Sequence, residues 1–93
     1  MRVGVLKIDL EITDSNSLKD KRMVLRGLKE RICRSLNVSI SEVGYDDKWQ
    51  RTILGIAATS KDKQYISTML NRVLHYVEKE RTVVVLDVQM EIL

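Results

Sequence analysis

Ninety-three residues suffice for one domain with a single core and are too few for two. Hydrophobic residues make up 44% and charged residues 31%, which excludes the disordered class, and no apolar run approaches a membrane span. The net charge of +3 is modest but uneven, since Ser17 to Leu36 carries seven basic residues against two acidic ones and the rest of the chain sums to −2.

The opening residues alternate. Leu6, Ile8, Leu10 and Ile12 share one face and Lys7, Asp9 and Glu11 the other, the period of a half-buried strand over 3–13. The charged start reads as a strand, not a signal peptide, and a lone Cys33 forms no internal disulfide, so the expected compartment is the cytoplasm, with no membrane partner. After Asp14-Ser15-Asn16, Ser17 is suited to cap a helix, with Asp20 completing a shortened capping box. Leu18, Leu25, Leu28, Ile32 and Leu36 follow as one apolar stripe, and Asn37 can take the left-handed conformation that ends such a helix.

Residues 38–45 are short and β-prone, and a turn follows over Tyr45 to Trp49. Thr52 to Thr59 reads as a strand with Leu54, Ile56 and Ala58 inward, and Ser60 is the expected cap of a second helix. Ile66, Met69, Leu70, Val73 and Val77 give that helix its buried stripe. The last strand is expected to place Val84, Leu86, Val88, Met90 and Ile92 on one face, opposite Asp87, Gln89 and Glu91. The order βαββαβ closes by right-handed crossovers into an α+β ferredoxin-like sandwich, a single domain over residues 1–93. Its antiparallel sheet has strand order 4-1-3-2, with both helices on one face and the other face open.

No catalytic constellation stands out, and neither a cofactor nor a metal is implied. One His and one Cys cannot form the usual zinc set. His75 is expected on the outer side of the second helix and Cys33 as a packed small side chain. The four glycines are scattered, and none opens a helix as a phosphate-cradling loop does. Acylphosphatases share this topology, but here the first turn is Thr13-Asp14-Ser15-Asn16, whose carboxylate repels phosphate. RNA recognition motifs stack bases on sheet aromatics, whereas the open-face positions here are Val5, Lys7, Asp9 and Glu11 beside Arg51, Ile53, Gly55 and Ala57. What remains is the first helix. Lys19, Arg22, Arg26 and Lys29 share one side of it, a row suited to phosphate, and Trp49 beside Arg51 is an aromatic that must pack, stack or anchor.

The strings Ser17-Leu18-Lys19-Asp20-Lys21-Arg22, Asn37-Val38-Ser39, Glu42-Val43-Gly44 and Trp49-Gln50-Arg51, closing on Glu91-Ile92-Leu93, resemble the YlxP-like family of small bacterial proteins over essentially the whole chain. Tyr45 is the one departure, where that pattern leads one to expect His. The resemblance implies a ferredoxin-like domain of unknown function without established catalytic residues. Gene neighbourhoods shared with translation initiation factor two and ribosome-binding factor A imply a role in translation or ribosome maturation. The leading expectation is therefore a non-enzymatic factor that binds ribosomal RNA or a ribosomal subunit. Lys19, Lys21, Arg22, Arg26 and Lys29 would contact phosphate, with Lys48, Trp49 and Arg51 assisting. The alternatives are a homodimeric interaction module using Ser39, Ser41, Val43 and Ile53, or a small-ligand regulatory domain.

Overall fold

Alternation in the first segment and helical spacing in the second set the layers. In the computed structural model, which describes residues 1–93, β1 (Arg2–Ile12) is followed by α1 (Leu18–Ser35), β2 (Ser39–Gly44), β3 (Arg51–Ser60), α2 (Lys63–Glu78) and β4 (Val83–Ile92). The strands hydrogen-bond in the order β2-β3-β1-β4, every neighbouring pair antiparallel, which is the expected arrangement read from the other edge.

Leu6, Ile8, Leu10 and Ile12 of β1 and Leu54, Ile56 and Ala58 of β3 are buried beneath the helices, as their period requires. The α2 stripe, Ile66, Met69, Leu70, Val73 and Val77, is buried against them. α2 lies so close to β1 that a Cβ built at Gly4 would stand 2.2 Å from Ile66 Cγ2. From α1 come Leu28 and Ile32, with Leu36 beyond its end. No helix is long and apolar enough to cross a membrane.

Four local expectations are corrected. A register shift between Asp9 and Leu10 sets Leu10 opposite Val85 while Asp9 stays opposite Asp87, so Leu86 is the extra residue of a bulge in β4. The phase flips there. Val83 and Val85 pack inward, whereas Val84 and Leu86 are exposed. Asp62, not Ser60, caps α2, accepting from Gln64 N–H at 3.0 Å, and Ser60 Oγ accepts from Asp62 N–H at 3.1 Å. α1 ends on extended Leu36, and Asn37 is not left-handed, since only Asp14 and Tyr45 have positive φ among non-glycine residues. Cys33 is exposed, not packed. At the other end of α1 Ser17 is the N-cap, and the Asp20 carboxylate reaches one residue further back than a capping box, to Asn16 N–H at 3.0 Å.

Candidate nucleic-acid interface

One cation of α1 is missing from the surface. Lys21 follows Leu18 by three residues and precedes Leu25 and Leu28 by four and seven, so it falls on the buried stripe. Its side chain is 1% exposed, and contact with phosphate, expected from sequence, is corrected to an internal role. Nζ lies 2.8 Å from Glu42 Oε2 and donates to the carbonyl of Tyr45 at 2.8 Å. The carbonyls of Asp46 and Arg51 lie within reach at 3.3 and 3.4 Å. Glu42 faces the helices because it shares its phase in β2 with buried Ile40, and the same Oε2 accepts from Thr52 Oγ1 at 2.6 Å. A buried ammonium needs this many acceptors to offset its lost hydration. The result is a polar clamp from α1 onto the loop between β2 and β3.

Arg51 is also spoken for. It lies on the open face, where Nη2 donates to both carboxylate oxygens of Asp9 at 3.0 Å and its guanidinium sits 4.6 Å from the centre of the Tyr45 ring. It stands across the sheet from the cation row of α1, so its assisting role at phosphate is likewise withdrawn. Tyr45 adopts φ 60°, a backbone state unusual for a bulky residue and held here by the clamp behind it and Arg51 on its ring. The rest of the loop is tied down as well: Lys48 N–H donates to Tyr45 O at 3.0 Å, Gln50 Nε2 to Ser15 O at 3.0 Å, and Ile12 N–H to Gln50 O at 2.9 Å. Between these ties Lys48 and Trp49 face outward, and Trp49 is 53% exposed.

Lys19, Arg22, Arg26 and Lys29 are exposed and belong to none of the three ion pairs, which join Lys21 to Glu42, Arg31 to Glu80 and Arg51 to Asp9. Their row does not lie on a plain convex helix face. α1 touches the edge strand β2 only lightly and leaves a groove of about 330 Å³ between them. Arg22, Arg26 and Lys29 form one rim, Ser41 and Glu42 the other, and Leu25, Leu28, Ile32, Ile40 and Leu54 the floor.

The residues expected at a dimer interface lie together on the other side of the sheet. Ser39, Ser41 and Val43 line a shallow concavity with Val5, Lys7, Gly55, Ala57, Gln89 and Glu91. Val43 is 58% exposed and lies over Gly55, where a Cβ would meet its Cγ1 at 3.0 Å. Ile53 is half-buried beside Gly44. Lys19, Arg22, Arg26 and Lys29, grouped on the helical wheel, are all exposed, and Val5, Lys7, Gly55 and Ala57, expected on the open face, line one concavity. Sequence reasoning missed the groove floor and the clamp, although the helical phase of Lys21 and the strand phase of Glu42 were both available.

Residues 3–90 match the family described as "Protein of unknown function (DUF503)". The Uncharacterized protein YlxP of Bacillus subtilis (strain 168) is 42% identical over 85 residues, covering 87% of this chain and 92% of that one. Among solved structures, the de novo designed protein Foldit4 aligns with TM-score 0.57 and 15% identity over 100% of this chain and 97% of its own. A mutant of SnoaB, a cofactor-independent oxygenase from Streptomyces nogalater, aligns with TM-score 0.55 and 10% identity over 99% and 90%. At such identities the two structures share the fold and nothing more.

Proposed function

The chain belongs to the DUF503 family, and on that footing we propose that it is a non-enzymatic accessory factor that binds RNA through α1. One observation carries the reading: four cations stand in a row on one helix, exposed and without a carboxylate partner, while three other basic residues are consumed internally. Unpaired cations on a preformed helix contact phosphates without first breaking an ion pair, and release counterions when they do. Lys48 and Trp49, held outward by an anchored loop, supply a further cation and a stacking surface. The sheet's open face, with Asp9, Glu11, Asp87 and Glu91, is the wrong sign for a phosphate backbone. The ribosomal setting is the part of the proposal that rests on the resemblance to YlxP-like proteins, and the cytoplasmic one rests on the lone cysteine and the charged first strand. The test is the affinity for a fragment of ribosomal RNA by fluorescence anisotropy. Reversing Arg22 and Arg26 to Glu should weaken binding at least about tenfold across RNA sequences, and unchanged affinity would remove α1 from the interface.

A second reading is favoured by the bulge in β4. It turns Val84 and Leu86 outward, adding apolar surface to the side of the sheet that already carries Val5 and Val43. A second copy of the chain would meet this face over Ser39, Ser41 and Val43, which line one concavity, with Ile53 half-buried nearby. Sedimentation at high micromolar concentration discriminates, because a chain that stays monomeric there does not use this face for self-association.

A further inference from the structure

The cation row has a shape as well as a charge. Arg22, Arg26 and Lys29 span about 10 Å of helix at 1.5 Å per residue, and along that whole length they overhang a groove rather than a convex surface. The floor is apolar, the α1 rim is cationic, and the Glu42 carboxylate on the opposite rim is already engaged by Lys21. Leu25 is only partly covered, and Ile40 and Leu54 lie beside it at the base.

A duplex presents phosphates and 2′-hydroxyls but keeps the faces of its bases stacked inside, and its width bars it from a narrow cleft. An acidic peptide would satisfy the rim and leave the floor to chance. An unpaired nucleotide matches both parts: phosphate oxygens accept from guanidinium and ammonium groups along the rim, and the flat, weakly hydrated base lies over aliphatic carbon below. Arginine guanidinium planes at the rim can also stack on such a base, which offsets the lack of an aromatic residue in the groove. The end of α1 that carries Arg22 is also the end at which Lys21 grips the loop bearing Trp49.

Resting on the RNA-binding reading above, we infer that the groove between α1 and β2 takes unpaired RNA, with phosphates on Arg22, Arg26 and Lys29 and a base over Leu25. The interface accordingly selects single-stranded segments, loops or bulges over perfect duplex.

The experiment compares three labelled probes on the full chain at one salt concentration: a ten-nucleotide single-stranded RNA of mixed sequence, the same strand annealed to its complement, and a ten-residue polyglutamate. The single strand should bind about tenfold tighter than the duplex, and Leu25→Gln, a neutral change to another good helix former, should erase most of that difference by weakening the single strand alone. Crosslinking of 4-thiouridine in the single strand to the unsubstituted chain should map to the segments around Leu25 and Ile40, which keeps the test valid if Leu25→Gln fails to fold. Equal affinity for strand and duplex, both lost in Arg26→Glu, overturns the groove while leaving the phosphate contacts intact. Absence of binding to either RNA overturns both readings. Polyglutamate binding tighter than the single strand assigns the groove to an acidic peptide and overturns the inference.

Discussion

Lys21 places an ammonium where a leucine would satisfy the helical pattern, and its surroundings explain why the substitution is tolerated. Three protons are shared among one carboxylate and three carbonyls of the β2–β3 region, all within 3.4 Å. Removing the ammonium while leaving Glu42 strands a carboxylate that is three-quarters covered beside three carbonyl oxygens. Lys21→Met is therefore expected to lower unfolding free energy by about 3 kcal/mol in urea denaturation. That is roughly 10 °C or more in melting temperature for a domain of this size. A loss below about 1 kcal/mol would show that the clamp is not a structural element. The substitution should also loosen the loop that holds Trp49, visible as a more solvent-like indole emission. Sequence reasoning assigned Lys21 to the surface because charge was read before phase. Lysines rarely lie on a buried stripe, and only pairing with an equally misplaced Glu42 on another strand makes the position tenable.

At the scale of the element, α1 is two-faced: one stripe closes the core, and the neighbouring row is free to bind. The structural role and the proposed binding role should separate in mutation. Arg22→Glu with Arg26→Glu touches exposed side chains without partners, so stability should stay within about 0.5 kcal/mol of the parent while RNA affinity falls. Ser17→Ala removes the Oγ that accepts from Asp20 N–H at 3.0 Å and should cost about 1 kcal/mol without changing affinity per folded molecule. Gly4→Ala drives a methyl into Ile66, a branched side chain with no room to turn, and should cost about 2 kcal/mol by calorimetry. The strands show where legibility stops. β1 alternates so strictly that its faces could be read outright, whereas Val83-Val84-Val85-Leu86 is apolar at every position. A run without polar residues carries no phase, and the bulge is set by pairing against Asp9 and Leu10 on another strand.

For the molecule as a whole, the division of labour runs through the sheet. The helix side carries the core, the cation row and the groove, while the open side carries carboxylates, the Asp9–Arg51–Tyr45 stack and a band of exposed valines. Element order and topology were legible because length, alternation and the right-handed crossover leave few alternatives for βαββαβ. The groove was not, since it exists only where α1 fails to cover β2, a property of how two distant segments pack. The proposed interface holds RNA by phosphate contacts from the free row on α1. Its most direct measurement is the slope of log affinity against log salt concentration for a single-stranded RNA. With four cations engaged the slope should be about −3, and Arg22→Glu with Arg26→Glu should reduce it to about −1.5 or less. A slope near zero, or one that the double substitution leaves unchanged, would contradict the account.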